Sequence, residues 1–140
     1  MEHYDVRDMV YLHGRIEHDP TSGKSGREQV VEEMHRCDVL VLMQGDSTAG
    51  EEYIPSKLYE YLLTRRPVLG IVLDGSEADR MLKEGGHVAV RKGDVNAIVR
   101  ALKTFLDEWE NGGVAAMKGR NAFTIEKAVD QLIHITESLN

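Results

Sequence analysis

Two carboxylates, Glu52 and Glu60, frame the stretch Glu51–Pro67, EEYIPSKLYEYLLTRRP, with Glu51 as a further acid beside the first. Seven residues separate the pair, a little over two turns if helical, so the two side chains can address different parts of one long polar ligand. They cannot both grip one atom if a helix begins at Pro55. A glycosidase-like pair would have to flank one bond, roughly 5 to 10 Å apart, and the spacing neither requires nor excludes that. Pro55 suits a helix start, where its missing N–H costs nothing. The N–H groups of Ser56, Lys57 and Leu58 would then suit a phosphate or other anion, with the Lys57 side chain beside them. An acid, an anion-binding helix start and a second acid together suggest a nucleotide carrying a sugar. The bland reading is a solvated face, with Glu60 and Thr64, or Lys57 and Tyr61, as ordinary neighbours four residues apart.

The elements that must position these groups are apolar runs on either side. Val39–Met43 precedes the stretch and Val68–Leu73 follows it, and neither alternates polar with apolar. Both therefore read as strands of a parallel sheet buried on both faces. Between them Ile54, Leu58, Tyr61 and Leu62 form the apolar side of a helix. Gly45–Glu52 becomes a loop at the carboxyl end of a strand, the place where open α/β sheets bind ligands.

Upstream, Met9-Val10-Tyr11-Leu12 reads as a short strand, followed by a turn, a polar loop over Asp19–Gly26 and a helix from about Arg27 to Arg36. That helix carries Val30, Val31 and Met34 on its apolar side, and a right-handed crossover would join the two strands around it. Downstream, Asp74-Gly75-Ser76 caps a helix through Ala78, Met81 and Leu82 that stops at Gly85-Gly86. His87-Val88-Ala89-Val90 is a last short strand, and Asp94 caps a long helix. Its residues Val95, Ile98, Val99, Leu102, Phe105, Leu106 and Trp109 repeat on one side and read as sheet packing. From about Thr124 a closing helix carries Ile125, Ala128, Val129, Leu132, Ile133 and Ile135, with Phe123 flanking its cap. The expected fold is α/β, a partial Rossmann-like three-layer sandwich with a parallel sheet of about four strands in one domain over 1–140.

Composition narrows the function classes. A length of 140 residues fits one domain. The formal charge of -7 argues against a general nucleic-acid surface or a polybasic membrane patch. No apolar run is long enough to span a bilayer and no signal peptide is recognisable, which points to a cytoplasmic protein. The single Cys37 cannot form an internal disulfide and is expected as a core thiol. Gly23-Lys24-Ser25 invites a phosphate-loop reading, but that motif needs glycine where the chain has His18. The six histidines show no ligand-like cluster, and HExxH, CxxC and the Gly-x-Ser-x-Gly elbow are absent, so no metal is expected. Asp38 and Asp46 flank the first strong strand and read as strand-start and loop residues.

Taken in order, Gly14-Arg15-Ile16, Cys37–Leu42, Glu52–Tyr61 (EYIPSKLYEY), Arg66–Leu69 and Gly85–Val90 resemble the C-terminal half of family 4 (group 1) glycosyltransferases. The resemblance implies the nucleotide-sugar-binding lobe of a two-lobed enzyme, probing a UDP- or GDP-sugar as donor and typically retaining anomeric configuration. Glu60 resembles the later acid of the family's Glu-x7-Glu motif, which holds the ribose hydroxyls, and Glu52 the earlier one, close to the donor sugar and its transition-state charge. Arg15 and Ile16 match the segment contacting the nucleobase. Ile54, Ser56 and Lys57 fall in the stretch passing the donor sugar and diphosphate.

The departures shape the expectation as much as the match. Tyr53-Ile54-Pro55 replaces the family's small glycine-rich segment and removes one backbone donor at Pro55, and Met43-Gln44 stands where Pro-Ser is usual. The family lobe's first two strands, its diphosphate-binding basic pair and the whole N-terminal lobe have no counterpart here. The resemblance therefore implies a glycosyltransferase that is incomplete and inactive as this isolated chain, requiring the other lobe or a complementary subunit. A weakly held homodimer or larger assembly is expected, because an uncovered parallel edge promotes association. Rival readings are a nucleoside deoxyribosyltransferase-like enzyme, with Glu52 attacking the sugar-base bond, a non-catalytic nucleotide-binding or interaction subunit, and a generic α/β domain.

Overall fold

The computed structural model describes residues 7–45 and 54–114, together with 129–130, 133–134 and 137. The chain divides into two compact units, Met1–Glu33 and Met34–Asn140.

In the first unit, Arg7–Met9 forms a single 3-10 turn and the chain then runs without regular structure to the helix α1, Gly26–Arg36, whose last residues belong to the second unit. The strand expected over Met9–Leu12 does not form: these four residues are 53% to 92% exposed and none enters the sheet. An apolar tetrad without a ladder partner leaves its backbone groups unpaired by a strand, so β-propensity alone does not hold it extended. The polar loop that follows is ordered by its own side chains. Asp19 accepts from the Thr21 N–H at 2.9 Å and from the Ser22 hydroxyl at 2.6 Å, an Asx turn. The hydroxyl of Ser22, followed by the Thr21 N–H, holds the Asp19 carboxyl below its ordinary pKa.

α1 opens with a capping box. Glu28 Oε2 accepts from the Ser25 N–H at 2.8 Å, and Ser25 Oγ accepts from the Glu28 N–H at 3.2 Å. Gly26 is required here because a side chain would run into the carbonyl oxygen of Ile16.

The second unit is a small α/β arrangement. Its strands are β1 (Leu40–Met43), β2 (Val68–Val72) and β3 (Val88–Arg91), parallel and in the order β1-β2-β3. Among the described residues the sheet has three strands rather than about four, the missing one being Met9–Leu12. Leu40 lies opposite Val68 and Leu69 opposite Val88, which fixes the register. The helices α2 (Ser56–Leu63) and α3 (Glu77–Glu84) connect the strands, and α4 (Val95–Glu110) follows β3.

One sheet face carries the main core. Leu40, Leu42, Val68 and Val72 pack there with Leu58 and Leu62 of α2 and Ala78, Met81 and Leu82 of α3. Met34, Ile54, Tyr61 and Ala89 close its margin. Gly70 lets α3 come close, since a Cβ at that position would strike Leu82 Cδ1. Ser76 Oγ accepts from the Asp79 N–H at 3.2 Å and starts α3. A Schellman motif ends it: the Gly86 N–H donates to Lys83 O at 3.0 Å and the His87 N–H to Leu82 O at 2.8 Å, with Gly86 left-handed at φ 76°.

The opposite face is less complete. Among the described residues Leu69 and Ala101 are the buried apolar residues outside the main core, and Phe105 of α4 shares a cleft with Val88, so α4 covers this face near β3. At β1 the same face stays open: Val41 is 46% and Met43 74% exposed. β1 is therefore not buried on both faces as its apolar run predicts. Cys37 is also exposed rather than in the core, because it precedes β1 and falls outside the packed register.

Candidate functional site

The candidate site lies where β1 ends and α2 begins. The main chain leaves β1 at Met43 and meets Gln44, which is buried although polar. Its Oε1 accepts from the Leu73 N–H at 3.0 Å and its own N–H donates to Ile71 O at 3.0 Å. Gln44 thus extends the β1–β2 ladder past the strand ends and satisfies a backbone donor that no strand reaches. The sequence noted Gln44 only as a departure from Pro-Ser. The signal that could have found it is a single amide closing an apolar strand.

Residues 46–53 lie outside the described residues, and Glu52 and Glu51 with them. The chain resumes at Ile54, half-buried against the core, and Pro55, which stands at the N-cap rather than inside the first turn. Pro55 offers no capping side chain, but its carbonyl accepts from the Leu58 N–H at 2.9 Å. Of the three backbone donors expected to meet an anion, Leu58 is therefore already engaged within the helix.

Helical geometry sorts the remaining candidates. Leu58 and Leu62 face the core, whereas Ser56 and Glu60 are one turn apart on another side, with Lys57 next to them. Ser56 and Lys57 are exposed and Glu60 is half-buried. Tyr61 beside it has its phenol pushed above the ordinary value, chiefly by burial and then by the neighbouring Cys37 and Glu60. Thr64 ends the helix by donating its hydroxyl to Tyr61 O at 2.6 Å, and Arg65 takes a left-handed conformation at φ 58°. The guanidinium of Arg66 donates to the carbonyl of His35, which ties the turn before β2 to the end of α1.

Arg15 and Ile16 belong to the first unit, whereas Ile54, Ser56, Lys57 and Glu60 belong to the second. Arg15 is exposed and pairs with Glu17 at 3.4 Å. Ile16 lines a polar cleft of about 390 Å³ with His13, Asp19, Lys24, Gln29 and Glu32. Lys24 is held by the Glu32 carboxylate at 2.6 and 2.7 Å, and Ser25 is taken up in the capping box, so both side chains of the Lys24-Ser25 pair serve α1.

A second concavity lies at the amino ends of β2 and β3. It is a cleft of about 450 Å³ lined by Pro67, His87, Val88, Phe105, Glu108 and Asn111 among others. His87 Nδ1 accepts from the Val68 N–H at 3.3 Å, which fixes the neutral imidazole with its proton on Nε2. Burial pushes the His87 pKa below the ordinary value. This cleft is at the opposite end of the strands from Gln44 and the start of α2. Among the described residues no group of three or more His, Cys, Asp or Glu could hold a metal ion, and no helix is long and apolar enough to cross a membrane.

No family model matches the chain, and no curated protein or solved structure matches it either.

Proposed function

We propose that this chain supplies the donor-binding part of a glycosyltransferase, holding a nucleotide-diphosphate sugar at the carboxyl end of β1. The observation that carries this reading is the placement of Ser56, Lys57 and Glu60 on the side of α2 away from the core, in the helix that follows the strand Gln44 completes. Parallel α/β sheets take ligands at that end because loops and helix starts converge there. On this reading the sheet is the surviving part of a Rossmann-like C-terminal lobe, with β1 beside the point where the strand order of such a lobe reverses.

The chemistry follows from the residue types. The Glu60 carboxylate accepts two hydrogen bonds from vicinal ribose hydroxyls, a charge-assisted pair. The start of α2 and the Lys57 ammonium attract the diphosphate. Glu52 would stand nearer the sugar, where positive charge grows as the bond to the diphosphate breaks. Such a site works by orientation and charge, and the acceptor contacts come from a second lobe or subunit. Arg15 and Ile16, the nucleobase contacts implied by the family resemblance, are not needed for the Glu60 test.

Calorimetric titration of the chain with UDP and GDP, with and without their sugars, tests the proposal directly. Saturable binding that weakens about tenfold or more in Glu60→Ala is the expected result, since a charged hydrogen-bond acceptor contributes roughly 1.5–3 kcal/mol. Equal affinity in the two proteins, with matching urea unfolding curves, would reject the site.

A further inference from the structure

The cleft at the amino ends of β2 and β3 lies away from the proposed donor site, and its walls are chemically one-sided. Its volume of about 450 Å³ falls in the size range of small-molecule sites. Pro67, Val88 and Phe105 supply an apolar wall, Pro67 buried and the other two half-buried. Phe105 and Glu108 are three residues apart, on the side of α4 that carries the buried Ala101. Where that side should continue apolar, the chain therefore sets a carboxylate. No lysine or arginine is among the described residues that line the cleft with Glu108.

The other polar groups have the same sign. Asn111 Nδ2 donates to Asp107 O at 2.7 Å, which leaves the amide oxygen as an acceptor. The last carbonyls of α4, which ends at Glu110, add the negative end of the helix dipole. His87 contributes no positive charge near neutral pH, because its Nδ1 accepts the Val68 N–H and burial lowers its pKa. Walls of this kind repel an anion, and a wholly apolar ligand would strip water from the carboxylate without replacing it. An ammonium, with three N–H donors and a positive charge, satisfies the acceptors.

We propose that this cleft binds a small organic cation, an ammonium carried on an aromatic body. The ring lies against Phe105, Pro67 and Val88, and the ammonium donates to the Glu108 carboxylate and the Asn111 amide oxygen. Phe105 favours an aromatic body over an alkyl one, since two rings gain from offset or edge-to-face packing. The cleft shares no residue with the donor site at α2, so either assignment stands or falls without the other.

Titration of the full, nitrogen-15-labelled chain with tryptamine, followed by amide resonances, tests this against indole-3-acetate, which keeps the ring and reverses the charge. Tryptamine should shift the amides of His87, Val88 and Asn111 saturably, with a Kd of about 1 mM for a ligand of this size. Indole-3-acetate should bind at least about tenfold more weakly, and Glu108→Gln should weaken tryptamine by about the same factor, as expected for loss of a charge-assisted contact. Glu110→Gln removes an equal charge outside the cleft lining and should leave the tryptamine affinity within about twofold, which separates the site from general attraction to a chain of net charge -7. Glu108 is exposed, so an unchanged amide spectrum away from the cleft is expected in both variants. Equal affinity for the amine and the acid, equal losses in the two variants, or no saturable shift at His87, Val88 and Asn111 would each overturn the proposal.

Discussion

The two faces of the sheet obey different rules although the same three strands build them. On one face, Leu40, Leu42, Val68 and Val72 meet two helices that each deliver buried residues, and Leu58, Met81 and Leu82 are almost wholly withdrawn from water. On the other, Leu69 of β2 and Ala101 of α4 are buried, while Val41 and Met43 of β1 remain open. β2 lies in the middle of the sheet and is covered on both sides. β1 lies at an edge and is covered on one. What separates the faces is the number of helices available to them, not the hydrophobicity of the strands, since Val41 and Met43 are as apolar as their buried neighbours.

That contrast can be broken most forcefully at Leu82. Leu82→Ala removes a fully buried side chain that packs against Gly70 across the α3–β2 contact, and should cost about 2–5 kcal/mol in urea unfolding. A loss below about 1 kcal/mol would mean that the main core is not the principal source of stability.

A smaller effect is expected from pH, and it acts where the two faces share a strand start. The neutral His87 ring accepts the Val68 N–H, and burial lowers its pKa in the folded state. The unfolded chain therefore binds the proton first, so this contribution is complete above the ordinary value of 6.5 and is lost as pH falls below it, through the lower folded-state pKa. Urea midpoints measured across that range should decline less in His87→Gln than in the parent chain. An unchanged decline would remove His87 from the account.

The smallest effect belongs to the open face. Met43→Gln should alter stability by no more than about 0.5 kcal/mol, because the side chain is already 74% exposed. A loss comparable to that at Leu82 would show that Met43 is covered in solution, and would erase the difference between the faces.

Much of the second unit was legible in advance. Ile54, Leu58, Tyr61 and Leu62 read as one helical side, and all four contribute to the core. Ser76, the Gly85-Gly86 stop and the Asp94 cap were likewise recognisable, because caps depend on a few residues close in sequence. Asp94 Oδ1 indeed accepts from the Ala97 N–H at 2.8 Å. The apolar α4 positions read as one set packing on the sheet, which holds for the half-buried Ile98 and Phe105 and not for the exposed Val95, Val99, Leu102, Leu106 and Trp109, since a periodicity identifies a face without saying what meets it. The candidate site was legible only in part. The sequence marked Ser56, Lys57 and Glu60, but the engaged Leu58 N–H and the bridging Gln44 depend on how the chain turns at Pro55 and on which strand lies beside β1.

The sequence by itself determined where helices begin and end and which residues are apolar enough to be buried, because those properties follow from local backbone chemistry and period. Tertiary structure alone decided that Met9–Leu12 forms no strand, that Cys37 is exposed and that β1 shields one side only. Each of these depends on a partner distant in the chain. A strand exists only with a ladder beside it, and an apolar side chain is buried only where another element arrives to cover it.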